Sequence, residues 1–156
     1  MAEALRGVKI IALDPGTTET GWCVYEDGKV TKCGINTNQE MLRAIANFGM
    51  HPAPHLLAIE WIEAMGMAVG REVFETCRWV GRFQQACGNP DAVRFVTRRE
   101  VKLHLCGNMR AKDPNIRQAL LDKLGPVGTK KEPGPCFGVK SHIWSALAVA
   151  VTAAET

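Results

Sequence analysis

The chain has 156 residues, 46% of them hydrophobic and 22% charged, a globular balance that excludes a disordered or fibrous polymer and leaves enough apolar side chains for a real core. A net charge of +3 permits a polyanionic partner without demanding one, and no uninterrupted apolar run approaches the ~20 residues of a membrane-spanning helix, so no membrane partner is expected. No signal peptide opens the chain, and Cys23, Cys33, Cys77, Cys87, Cys106 and Cys136 lack CxxC spacing, which argues for reduced thiols in a cytoplasm rather than a zinc site or a disulfide framework.

Val8 to Leu13 is an apolar, β-branched run of strand length that delivers Asp14 to the turn dipeptide Pro15-Gly16. A second strand, about Gly21 to Tyr25, and a third, Val30 to Ile35, flank the tight turn Asp27-Gly28, so three hairpin-connected strands open the fold. Asn38 to Phe48 carries Met41, Leu42, Ile45 and Phe48 at helical period, with caps in Asn36-Thr37-Asn38. His51-Pro52-Ala53-Pro54 is a linker into Leu56 to Glu60, another apolar run that ends in an acid. Because this run is continuous rather than alternating, it predicts a strand covered on both faces, with parallel neighbours. Glu60 thus repeats the placement of Asp14.

A loop with two glycines and two methionines, Glu63 to Gly70, leads into a helix over Arg71 to Ala86, where Val73, Cys77, Val80 and Cys87 have helical spacing and Gly88-Asn89-Pro90 is the stop. Val93 to Val96 is a fifth strand. Thr97 to His104 and Asn115 to Leu124 are helices around a basic turn, Gly107 to Lys112, and Gly125 to Gly138 is a Pro- and Gly-rich loop. The last helix starts at Lys140 or Ser141 and runs to Ala154, with a side small enough to pack closely on a sheet. Between Arg94 and Lys140 eleven basic side chains face four acidic ones, a local excess that suits phosphates. The order predicts a single α/β domain over residues 1–156. Its five-stranded mixed sheet has three antiparallel strands and then two parallel to the first, flanked by helices.

That topology is RNase H-like, and particular segments carry a closer likeness. Ala12-Leu13-Asp14-Pro15-Gly16-Thr17-Thr18-Glu19-Thr20-Gly21-Trp22 resembles the first motif of the RuvC family of Holliday-junction resolvases, and Leu57-Ala58-Ile59-Glu60 its second. Arg99-Glu100-Val101-Lys102 with Gly107-Asn108 is similar to its basic segment, and Val139 to Ala150 to its C-terminal helix. The forms Gly66 to Thr76 and Gly138 to Trp144 look closer to the phage-encoded branch than to the bacterial enzymes.

The resemblance implies a homodimeric endonuclease of DNA recombination and repair, working in the cytoplasm of a bacterial or phage-infected cell. It would cut four-way or other branched DNA to leave a 5′-phosphate and a 3′-hydroxyl. Asp14, Glu60 and His142 would be the catalytic residues and would bind divalent cations, Mg²⁺ or Mn²⁺, two per site. Where the common bacterial pattern has a second acid one helical turn after the histidine position, this chain has Ser145. A hydroxyl holds a hard cation less well than a carboxylate, so Glu63 or Glu19, or water and the phosphate itself, would complete that shell. Lys102 and Lys112 are the implied phosphate contacts and Met65 and Met67 the residues at the junction's crossover; the helix bearing Phe74, Cys77, Trp79 and Phe83 has more apolar surface than one core face requires, and is the expected dimer surface.

Taken singly, Asp14 is a turn former, His142 a structural histidine, Met65 and Met67 gap fillers and the basic half a solvated face. The pairing of two acids at two strand ends is what outweighs those readings. Two alternatives remain: Ser145 suggests a catalytically impaired protein that binds branched DNA, and Asp14-Pro15-Gly16-Thr17-Thr18 also resembles the phosphate loop of sugar kinases and actin-like ATPases, which need two such domains.

Overall fold

In the computed structural model, which describes residues 5–48 and 55–156, Lys9–Pro15 (β1) is the middle strand of a five-stranded sheet. Glu19–Glu26 (β2) pairs antiparallel with β1, and Lys29–Thr37 (β3) antiparallel with β2, while His55–Trp61 (β4) runs parallel to β1 and Arg94–Thr97 (β5) parallel to β4. The spatial order is β3-β2-β1-β4-β5. This is the mixed sheet that the chain order predicts; the linker His51–Pro54 lies outside the described residues. Asp27 and Gly28 both have positive φ, at 49° and 79°, as a two-residue hairpin turn of this hand requires.

The continuous apolar runs have two faces to fill. On one, Ile11, Leu13, Leu57 and Ile59 pack against Asn38–Phe48 (α1) and Arg71–Ala86 (α2), through Met41, Ile45, Val80 and Phe83. On the other, Ile10, Ala12, Ala58 and Val96 meet Ile143–Glu155 (α5), which is covered in turn by Arg98–Cys106 (α3) and Asp113–Leu124 (α4) through Val101, Ile116 and Leu120. Sandwiched this way, α5 is buried on every side from Ile143 to Ala153 except at Ser145, more than the single close-packing face expected of it. Among the described residues, no helix is long and apolar enough to cross a membrane.

Two expectations need correction. The last helix begins at Ile143, not at Lys140 or Ser141, because Ser141 adopts a left-handed backbone (φ 49°) that a helix cannot continue through; His142 is its N-cap. On α2 Thr76, Val80 and Phe83 are buried, Val73 and Cys77 are half-buried, and Cys87 packs on the same core just past the helix end. Phe83 is fully buried, with Trp79 packed beside it, and so offers no surface to a second subunit, whereas Phe74 is 64% exposed.

The turn after β1 is tied down by polar groups. Thr20 Oγ1 donates to Asn38 Oδ1 over 2.6 Å inside the protein, and Asn38 Nδ2 donates to the Gly16 carbonyl over 2.9 Å. The first residue of α1 is thereby pinned to the segment that carries Asp14. A reciprocal cap between Thr37 and Glu40 starts the helix.

Candidate functional site

Parallel strands share one carboxyl end, and that is where the polar cluster forms. Leu13 of β1 lies beside Ile59 of β4, and one residue further this register carries Asp14 to Glu60. Both follow alanines (Ala12, Ala58) on the α5 face by two positions, so strand alternation sends both carboxyls to the same side. Their side chains are only 11% and 15% exposed.

His142 reaches this pair because its neighbour has no side chain. Gly21 is the antiparallel partner of Asp14, and a Cβ there would come within 2.8 Å of the His142 carbonyl carbon and oxygen. The bare backbone admits the start of α5 against β2, and His142 Nδ1 stands 3.1 Å from Asp14 Oδ2. From the other flank, Arg98 at the first position of α3 places Nη1 3.5 Å from Glu60 Oε1, while Nη2 pairs with Asp113 at the start of α4. Thr97 fixes that end of α3: its Oγ1 accepts from the Glu100 N–H, and the Glu100 carboxylate accepts from the Thr97 N–H over 2.7 Å.

Burial raises the Asp14 carboxyl above its ordinary value, against the lowering effects of a hydrogen bond to Glu60 and of the Arg98 charge. Glu60 is pushed up to about 8, first by burial and then by its hydrogen bond to, and repulsion from, Asp14, with Arg98 opposing. Two largely buried carboxyls side by side resist ionising together even with Arg98 at hand, so near neutral pH the pair retains a proton. Around them opens a cleft of about 440 Å³.

No protein-family model and no curated protein sequence matches the chain. Solved structures do resemble it. Thermus thermophilus RuvC in complex with a Holliday junction substrate superposes with a TM-score of 0.67 at 20% identity, over 93% of this chain and 92% of that one. Thermus thermophilus RuvC in a second structure gives a TM-score of 0.67 at 19% identity over the same shares. The chain has the RuvC fold. At that identity the likeness speaks for architecture, and the site has to be judged on its own side chains.

On this RuvC-type sheet, Asp14, Glu60, Glu63, Met65, Lys102, His142 and Ser145 all border the one cleft. Ser145 follows His142 by three residues and stays on its face although His142 caps the helix rather than lying inside it. Glu19, Met67 and Lys112 do not line the cleft: Met67 is 75% exposed on the loop beyond it, and Lys112 immediately precedes α4. Among the described residues, no three His, Cys, Asp or Glu side chains close on a single point; the acids and His142 meet pairwise, through Asp14.

Arg98 and Asp113 are the site residues that sequence reasoning passed over. One signal was available for the arginine: it directly follows the third parallel strand, so it had to emerge at the same carboxyl edge as Asp14 and Glu60. Nothing in the spacing announces Asp113, which arrives through the packing of α4.

In metal-free protein, an acid whose pKa rises on folding binds more protons folded than unfolded between its ordinary 4.5 and about 8, so stability is greatest below this window and falls as pH rises through it. Thermal melts in EDTA should show wild type losing a few kcal/mol more than Glu60→Gln from about pH 5 to about pH 8, each tenfold change in proton affinity being worth about 1.4 kcal/mol; parallel curves would contradict this. Gly21→Ala should destabilise by about 1–3 kcal/mol, the usual range for forcing extra volume into a packed site, and should remove the contact of His142 with Asp14, visible as a changed His142 imidazole NMR signal. An unshifted melting temperature and signal would refute the tight fit.

Proposed function

We propose that this chain is a divalent-metal-dependent endonuclease that cuts branched DNA, four-way junctions foremost, leaving a 5′-phosphate and a 3′-hydroxyl. The observation that carries this reading is that Asp14, Glu60 and His142, from three distant segments, line one open cleft in which Asp14 touches His142, bordered by Arg98, Arg99 and Lys102. The fold is shared with a RuvC solved on a Holliday junction substrate, which supports the choice of substrate.

The donor chemistry fits a hard or borderline cation. Two carboxyls that burial and mutual repulsion keep from ionising together are relieved by a divalent charge, and an imidazole beside them widens the choice from Mg²⁺ toward Mn²⁺. Asp14 would be shared, with Glu60 and His142 holding one ion apiece and Ser145 or Glu63 at the margin. When bound, the two ions lower the pKa of the attacking water and steady the leaving 3′ oxygen.

The chain's own residues do the rest. Asp14 and Glu60 give up their shared proton on loading, and the nearly buried strand ends hold them in register. Lys102, with Lys112 beyond the cleft, contacts backbone phosphates, which sets affinity rather than sequence choice. Met65, 63% exposed at the mouth, and Met67 offer apolar tips that wedge against unstacked bases at the crossover.

We further assign the chain to the phage-encoded branch on the forms of residues 66–76 and 138–144, acting as one nuclease domain in the cytoplasm. A homodimer would nick two opposed strands, with Phe74 in the subunit contact.

A gel assay on labelled four-way junctions with Mg²⁺ or Mn²⁺ tests the reading. Wild type should cut junctions in preference to linear duplex. Asp14→Asn should bind junctions normally and cut them roughly a hundredfold or more slowly, the rate equivalent of the several kcal/mol that metal charge contributes. An Asp14→Asn protein that still cuts, or equal cutting of linear duplex, would refute it. Junction binding by wild type without any cutting would favour the impaired binding protein that Ser145 suggests.

A further inference from the structure

Each buried carboxylate of the cleft has one basic partner: His142 on Asp14 and Arg98 on Glu60. The two partners are not equivalent. An imidazole can lose its proton and turn a lone pair on a cation, whereas a guanidinium has five N–H donors, no acceptor, and keeps its charge at any working pH. Arg98 therefore cannot become a ligand beside Glu60; its fixed positive charge, 3.5 Å from Oε1, opposes a divalent cation that approaches the same carboxylate.

A charge that such a cation displaces needs somewhere to go, and Arg98 is already forked. Its second terminal nitrogen pairs with Asp113, whose side chain is 78% exposed at the cleft mouth, against 15% for Glu60. The two acceptors come from different elements, β4 and α4, so that the guanidinium spans the rim. Its root is rigid, because Arg98 directly follows the Thr97 cap of α3.

We propose that Arg98 is the resident counter-cation of this cleft: it offsets the negative charge of the Asp14–Glu60 pair until a divalent cation arrives there, and Asp113 is the perch that retains it afterwards. Arg98 is on this account a positioning residue that sets the cation concentration at which the site loads, and Asp113 acts only through it. The inference rests on the reading that Asp14 and Glu60 bind divalent cations.

The test uses metal-free full-length protein without DNA, titrated with MgCl₂ and followed by thermal melting, the readout being the Mg²⁺ concentration of half-maximal stabilisation. Arg98→Gln should lower that concentration by roughly tenfold, and Lys102→Gln, which removes the same charge one helical turn along the cleft, by less than about threefold, as expected for a partly exposed charge with no direct contact. Arg98→Lys, which keeps the charge and loses the fork, should fall between wild type and Arg98→Gln and serves if the glutamine variant does not fold. Asp113→Asn should raise the concentration about threefold alone and have no effect in the Arg98→Gln background, the non-additivity of a residue acting through another.

An unchanged or raised concentration in Arg98→Gln, or an Asp113→Asn effect of the same size in both backgrounds, overturns the proposal. If wild type responds to Mg²⁺ and Asp14→Asn does not, such a result removes the role of Arg98 and leaves the metal-dependent nuclease standing. A wild type indifferent to Mg²⁺ overturns both.

Discussion

Two carboxyl groups held side by side and largely out of water are the constraint from which the rest of the site follows. Asp14 and Glu60 are forced together by the parallel register of β1 and β4, and each strand is fixed by apolar packing on both faces, so neither acid can swing away to relieve the repulsion. Relief has to come to them. His142 approaches over the bare backbone of Gly21, Arg98 reaches in from β5 and α3, and a proton stays on the pair when nothing stronger is present.

The cost of such an arrangement is met by the deep anchoring of the elements around it. α5 is enclosed by the sheet on one side and by α3 and α4 on the other, which gives His142 and Ser145 a densely packed base. The Thr20–Asn38–Gly16 hydrogen bonds do the same for the turn after β1. Rigid support of this kind is what lets a few side chains keep a reactive geometry, while the exposed Met65–Met67 loop is left on the outside where a bulky partner can meet it.

Much of this was legible in the amino-acid sequence because the signals were strong and local. The unbroken apolar runs ending at Asp14 and Glu60 announced central parallel strands with acids at one edge, and α1 and α2 begin and end where capping residues and period place them. The start of α5 was not legible, because nothing local reveals that Ser141 turns left-handed. That Phe83 turns inward while Phe74 stays exposed was not legible either, because only tertiary packing chooses which apolar side chains of α2 the core takes. Arg98 and Asp113 meet across the starts of two helices, a contact that spacing does not encode.

The most direct measurement is anomalous diffraction from crystals grown with Mn²⁺. The account predicts an anomalous peak between the Asp14 and Glu60 carboxylates, with Glu60 turned from Arg98 toward the ion. Crystals with no peak at that position, in which Asp14 and Glu60 still face each other across a shared proton, would contradict it.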